Sequence, residues 1–521
     1  MSARGARVNV LLPLLLAVPL VGILALMAMP SARADRAALP IGVAVSVATL
    51  ALALVAAVAA GWGRDAGMHL VAAADWVPAL GVRFALGIDG VSLPLVLLTT
   101  LLTALCCLHL LFAAPAPPRP RSLIVLVLLV EIGTVGTFLA LDLVLFFVFF
   151  EVVLIPMWLL VAAWGDPHDL LARRRAATTF VLYTVLGSAV MLIGLLVVVT
   201  QAGTSDLLAL TAAAGAGMSR GAQLVAAVAL VIGLGVKAPM WPLHTWLPPA
   251  HTAAPTVGSV LLAGMLLKMG TYGLVRFVVP VVPEGMRLVA PWLGALAVVG
   301  IIWGSLACLV QTDLKRLVAY SSVGHMGFVL LGIATLTPTG INGALYANIA
   351  HGLITGLLFF LVGAIKDRHG TADLATLGGG LYARAPRLGA IVAFTAIASL
   401  GLPGLAGFWG EALAVLGALQ PGAGLDRALF VVLAAGAAAG TVLTAAYLLT
   451  VIRRVCQGSS APRWLQTAPA AGEGAGPSTD VRAVEVLAWS PAVVLVLALG
   501  LWPPLLLGIT DPSVRALLGA A

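Results

Sequence analysis

Charge is scarce in this sequence. Asp, Glu, Lys and Arg together make up 9% of its 521 residues, against 61% hydrophobic residues, and the mean hydropathy is +1.12. Soluble domains carry roughly a quarter charged residues, so a water-compatible globular surface is excluded. Cysteine is nearly absent, with only Cys106, Cys107, Cys308 and Cys456. No CxxC spacing occurs, and a vicinal pair is strained as a disulfide and poor as a chelate. An iron–sulfur ligand set is therefore excluded, and the thiols read as filler in apolar helices. Gly378-Gly379-Gly380 is not followed by the lysine of a phosphate loop, and a strand–turn–helix dinucleotide fingerprint is missing too. No HxxxH or HExxH pair shares a helix face with an acid, so metal binding is not expected. The net charge of +8 is scattered one to three residues per loop. Without a basic stripe or an aromatic platform, that charge does not point to nucleic acid.

What is present is a succession of long apolar runs. A membrane span needs about 20 apolar residues. On that ruler, spans fall near 8–29, 40–61, 91–113, 122–141, 143–163, 176–199, 222–241, 256–278, 289–310, 317–336, 341–364, 388–411, 428–451 and 484–508. Backbone polar groups must be satisfied within lipid, and no alternating strand pattern appears. The expected fold is an all-α polytopic bundle of about 14 transmembrane helices. The run from Val8 to Met29 exceeds the 7–15 residues of a signal core, so the first helix is expected to be retained. With the N-terminus outside, the Lys/Arg tally is about 17 in loops on the cytoplasmic side, Lys315 among them, to 9 outside, Arg276 among them, the direction expected for cytoplasmic loops. A stretch rich in Ala, Gly, Pro and Ser from Gln457 to Glu485 reads as a flexible loop, and no large extramembrane domain is expected.

Lysine is as rare as cysteine. Only Lys237, Lys268, Lys315 and Lys366 occur, and arginine supplies the other positive charges. Lys237 and Lys268 fall inside predicted spans. A buried lysine can ionise within a working range, whereas a guanidinium stays protonated, so both are candidate proton carriers. A static ion pair is the plainer alternative. Glu131 and Glu151 lie about ten residues on either side of the turn at Ala140–Asp142, so each sits about 15 Å deep, at the bilayer midplane. Asp142 itself is expected to cap a helix or lie near the interface. Glu411 is a third deep acid, in a span with no other charge.

Two runs look breakable. Lys237 is followed by Pro239 and Pro242, and Glu411 follows Gly401, Pro403, Gly404 and Gly407. Interrupted helices expose backbone groups that hold water or ions at the membrane centre. Lys237 lies in the fourth of spans 4–8 and Glu411 in the fourth of spans 9–13. Five is odd, so the second set must run opposite to the first, and two inverted five-helix repeats are expected. The corresponding units are 1–121, 122–278, 289–451 and 452–521. His109, His244, His251, His325 and His351 lie in or beside spans, and an imidazole suits proton hand-over. Each has a bland alternative as a satisfied buried histidine.

From Lys237 to Phe277 the chain reads KAPMWPLHTWLPPAHTAAPTVGSVLLAGMLLKMGTYGLVRF. This resembles the proton-channel signature of the antiporter-like subunits of NADH–quinone oxidoreductase (respiratory complex I), and among them the M or chain 4 type. Supporting runs are ALDLVLFFVFFEVVLIPMWLL from Ala140, DLKRLVAYSSVGHMGF from Asp313, and GLPGLAGFWGE ending at Glu411. The resemblance implies a proton-translocating subunit of an enzyme that oxidises NADH and reduces quinone. Glu151 would pair with Lys237, Lys268 would be the central lysine, and Glu411 would be the exit acid. Glu131, His244, His251, His325 and His351 would connect them. No cofactor is expected in this chain; FMN, iron–sulfur clusters and quinone would belong to partner subunits, with L- and N-type subunits as neighbours. The expected location is a bacterial plasma membrane. Thr179, Pro249 and Ala253 depart from the family pattern, and the last two put a loop-side charge pair there in doubt. A subunit of a sodium/proton antiporter or of a membrane-bound hydrogenase is the alternative reading.

Overall fold

The structure, a computed structural model, describes residues 10–112, 117–458 and 480–519. Most of the stretch read as a flexible loop before the last span lies outside the described residues. Thirteen described helices are long and apolar enough to cross a membrane. They are α1 (Leu11–Ala28), α2 (Ser31–Ala59), α3 (Leu93–Leu111), α4 (Pro120–Leu139), α5 (Leu143–Trp164), α6 (Leu170–Ala202), α7 (Arg220–Lys237), α8 (Thr256–Val281), α9 (Pro283–Leu309), α10 (Leu314–Ala334) and α11 (Pro338–His369), with α14 (Arg427–Cys456) and α15 (Ala483–Leu501). Between α11 and α14 stand two shorter apolar helices, α12 (Pro386–Ser399) and α13 (Ala406–Leu419). Together they make a fourteenth, interrupted crossing. A last amphipathic helix, α16 (Pro504–Leu517), closes the described chain.

Burial orders these helices. The most apolar stretches of α8 and α11 are wholly buried, whereas about a third of the α2 and α14 stretches is buried. Lipid tails are as apolar as leucine, so the outer helices lose nothing by facing them. Polar side chains gather instead on α8, α10 and α11, at the centre of the bundle.

Three features differ from the sequence reading, two of them span boundaries. The expected span 388–411 is cut at Leu400–Leu405, and the following helix runs on to Leu419, which puts Glu411 in a helix interior. The expected last span, 484–508, ends at Leu501, because Pro503 and Pro504 cannot continue its hydrogen bonds, and α16 restarts there. The third difference is a β-hairpin, His69–Val77 with Val82–Ile88, in the loop between α2 and α3. Its run HLVAAADWV alternates small residues with little contrast, so its period of two was hard to read. Leu141 donates its N–H to the Ala85 carbonyl at 2.9 Å, docking the hairpin on the α4–α5 turn.

The two five-helix sets carry the same fastening. Asp142 caps α5, accepting from the Val144 and Leu145 amides, and forms a β-bridge with Asp206, which caps the short helix Leu207–Ala213. Asp313 caps α10 and forms a β-bridge with Asp373, which caps the short helix Leu374–Leu377. In each set the first and third interhelical loops are thus tied by paired N-cap aspartates. α5 and α10 are the second helices of their sets, so the fastenings mark opposite ends of the bundle. All four cysteines are buried and unpaired.

Candidate functional site

The site begins at the first helix break. α7 ends at Lys237 because Pro239 and Pro242 have no N–H to offer. The unwound segment is stitched back by the Met240 amide on the Gly235 carbonyl at 2.8 Å and by the Trp246 indole on the Val236 carbonyl at 3.0 Å. Helix resumes at Leu247–Ala253. Lys237 is buried, with its ammonium 4.9 Å from the centre of the Phe150 ring. Glu151 lies near enough to act on it electrostatically, yet among the described residues no ion pair joins the two. The expected direct Glu151–Lys237 pair is therefore absent here. Glu151 is only half-buried, and the aromatic ring of its neighbour Phe150 faces the ammonium instead.

α8 contains two π-helical turns, Leu262–Leu266 and Leu274–Val278, on either side of Lys268. Such widened turns free carbonyls from the helical ladder and recur at functional positions. The Lys268 ammonium donates to the Ala263 carbonyl at 2.5 Å and lies 2.7 Å from His351 Nδ1 on α11. The His351 and His325 rings are 5.9 Å apart, centre to centre. His325, on α10, reaches Glu411 Oε1 through Nδ1 and Ser399 Oγ through Nε2, each at 3.0 Å. A cavity of about 20 Å³ is lined by His325, His351, Thr355, Ser399 and Glu411, room for one water molecule. His351 Nε2 and Thr355 Oγ1 have no partner among the described residues. Lys268, His351, His325 and Glu411 thus form one polar line.

The second break supplies the end of that line. Gly401 has a φ of +81°, a conformation glycine adopts freely, and a Cβ added there would stand 3.2 Å from Glu411 Oε2. Gly401 therefore both turns the chain between α12 and α13 and leaves room for the carboxylate.

The other expected members of the axis are not joined to it by contacts. Glu131 on α4 is fully buried, with both carboxyl oxygens lacking a partner among the described residues. His251 stacks on Phe359, ring centres 4.5 Å apart, with both nitrogens unpartnered. His244 faces the Tyr320 ring edge-on at 6.5 Å. Between Lys237 and Lys268 no hydrogen bond runs among the described residues.

Sequence reasoning missed several buried charges. Lys315, assigned to a loop, is buried at the start of α10 and donates to the Ala254 carbonyl. Its rarity as a lysine was the available signal. Arg276, counted outside, is buried on α8, paired with Asp89 and bonded to the Tyr272 hydroxyl at 3.2 Å. Tyr272 in turn donates to the Phe138 carbonyl at 3.0 Å, bracing α8 against α4. A loop-side charge pair does exist, formed by other residues but set against the backbone of Ala253. Asp166 and Lys366 meet at 2.5 Å, and the Asp166 amide donates to the Ala253 carbonyl at 2.8 Å.

Comparison with known proteins places this arrangement. The family model described as NADH:quinone oxidoreductase/Mrp antiporter, TM, matches residues 140–436, which include both broken crossings and the whole polar line. The chain belongs to this family. Within the quinone oxidoreductase/Mrp antiporter family, it is 37% identical over 495 residues to NADH-quinone oxidoreductase subunit M of Rhodobacter capsulatus, covering 93% of this chain and 91% of that one. Its fold is similar to a chain of respiratory complex I from Thermus thermophilus with bound NADH, at a TM-score of 0.81 and 31% identity, covering 98% and 99% of the two chains. It is similar as well to a chain of the Mrp complex from Dietzia sp. DQ12-45-1b, at a TM-score of 0.82 and 26% identity, covering 99% of each.

Proposed function

We propose that this chain is the M-type, proton-translocating membrane subunit of an NADH–quinone oxidoreductase in a bacterial plasma membrane, with its N-terminus outside. The observation that carries the reading is the polar line from Lys268 through His351 and His325 to Glu411, all within hydrogen-bonding or single-water reach. A buried lysine without an acid beside it is costly to keep unless it is used. The similarity to subunit M over nine-tenths of both chains supports the choice of enzyme. Residues 122–278 and 289–451 would act as two half-channels, with 1–121 and 452–521 flanking them. The repeated aspartate fastenings support that division.

In this mechanism Glu151 and Lys237 are a switch. The charge on Lys237 depends on how closely Glu151 approaches it. A proton leaving Lys237 passes to Lys268, then across the imidazoles of His351 and His325 to Glu411 for release. Glu131, His244 and His251, which make no contact with this path here, would serve as further polar stations. This chain would hold no redox group. NADH oxidation and quinone reduction, with their FMN and iron–sulfur clusters, would occur in partner subunits, and L- and N-type subunits would be its membrane neighbours.

Replacing Lys237 with methionine tests the reading. Assembly should be retained, while proton pumping and coupled quinone reduction fall. Normal pumping in that variant would overturn the assignment. The likeness to the Mrp complex chain supports one other reading, a sodium/proton antiporter subunit. Purification without NADH dehydrogenase subunits, together with sodium-dependent transport, would select it.

A further inference from the structure

An apolar groove of about 620 Å³ opens between α2, α3, α11, α15 and α16, away from the polar line. We propose that it binds one anionic glycerophospholipid of the surrounding bilayer, its phosphate on Arg64 and its acyl chains along the groove. Leucines form the walls, among them Leu54 on α2, Leu97 and Leu101 on α3, and Leu495 on α15. The only charged residue in the lining is Arg64, next in the chain but one to Trp62, and Trp502 lines the groove as well. Tryptophans mark the level of lipid headgroups, where an amphipathic ring is half in and half out of the hydrocarbon. The groove therefore has apolar walls at acyl depth and a cation at headgroup depth.

Arg64 is exposed, and among the described residues it makes no ion pair or hydrogen bond. The neighbouring Asp65 is held by His69 at 2.5 Å. The guanidinium is thus free to offer a fork of donors to a phosphate, which it matches in geometry. Its position is built in. Gly61, Trp62 and Gly63 all take left-handed backbone, with φ of 59°, 61° and 63°, a strained choice for tryptophan. A Cβ on Gly63 would stand 3.0 Å from the Gly90 amide nitrogen, so this turn is pressed against the turn that precedes α3. The strained turn brings Trp62 and Arg64 to the groove mouth together.

A positive charge over an apolar slot selects an anionic lipid over a zwitterionic one, and over a protein helix, which would bring no phosphate. The proposal does not rest on ion translocation, and pumping is not its readout. The test uses the purified membrane complex reconstituted with phosphatidylglycerol carrying a photoreactive acyl chain, with the matching phosphatidylcholine as control. Cross-links mapped by mass spectrometry should fall on α2, α3 and α15 peptides, and the phosphatidylglycerol probe should label them more than the control. Arg64→Gln should reduce phosphatidylglycerol labelling about fivefold, the scale of a charge-assisted contact partly exposed to water, and leave the control unchanged. Leu54→Trp, which keeps the arginine and fills the slot, should abolish labelling by both. Equal labelling by the two lipids, indifference to Arg64→Gln, or exclusion of both by a neighbouring subunit's helix would each overturn the proposal.

Discussion

The Lys268 ammonium is shared between the Ala263 carbonyl of its own helix, at 2.5 Å, and His351 Nδ1 of α11, at 2.7 Å. The carbonyl lies five residues earlier in the chain, inside a π-helical turn. The same widened turn that loosens α8 thereby orients its lysine across the gap toward α11.

Lys268→Met keeps length and apolar bulk while removing the proton carrier. Proton pumping, followed as dye quenching in inverted vesicles, should fall on the order of 10²-fold, the lower end of what a positioned proton-transfer group contributes. Lys268→Arg should lose pumping too, because a guanidinium does not release its proton. Arginine at full activity would reduce Lys268 to a fixed charge.

Glu411 and Ser399 share His325, one on each ring nitrogen. Glu411→Gln preserves a hydrogen-bonding partner for Nδ1 but removes the ionisable group, so pumping should be lost with assembly intact. Ser399→Ala removes one neutral hydrogen bond, worth about 1 kcal/mol, and should lower the rate about fivefold. Equal losses in the two variants would mean that His325 is held in place by Ser399 rather than that Glu411 accepts a proton.

Arg276 and Asp89 form a buried ion pair, and Asp89 also caps the turn before α3 through the Val91 and Ser92 amides at 3.1 and 3.0 Å. Arg276→Leu leaves a buried carboxylate without its counter-charge, which should cost about 3–5 kcal/mol of stability. Adding Asp89→Asn restores neutrality and keeps the cap acceptor, so the double variant should recover most of that loss in thermal unfolding of the purified chain.

Asp166 lies in the loop after α5. Burial alone would raise its pKa, but the Lys366 hydrogen bond and the His168 amide outweigh that and hold the carboxyl below its ordinary value of 3.8. A depressed folded-state value means that the stabilisation is present above the unfolded value and lost as pH falls through the folded one. Asp166→Asn should therefore lower the unfolding temperature slightly at neutral pH, and the two proteins should converge below about pH 3. Both side chains are still partly open to solvent, so screening should keep the difference within about 1 kcal/mol. A gap that persisted in acid would assign the effect to the Asp166 amide contact with Ala253 instead.

By itself, the sequence determined the solvent and the topology. Runs of about 20 apolar residues cannot be accommodated in water, and odd sets of five crossings must invert. Both helix breaks were legible because proline and glycine act on the backbone locally, whatever surrounds them. Lys237, Lys268 and Glu411 were legible because a charge inside an apolar run has few ordinary explanations. Tertiary structure alone decided which of these groups meet. Lys268 and His351 are 83 residues apart and Glu411 and His325 are 86 apart, and no local pattern encodes that approach. It arises because α8 and α11, the two wholly buried spans, face each other at the centre of the bundle. The same packing set Lys237 against Phe150 rather than on Glu151, and left Glu131 and His251 without a hydrogen bond to the line. It also drew in Arg276 and Lys315, whose places near helix ends had marked them as loop charges. Composition tells which residues are costly in lipid, but only the packing of distant helices supplies their partners.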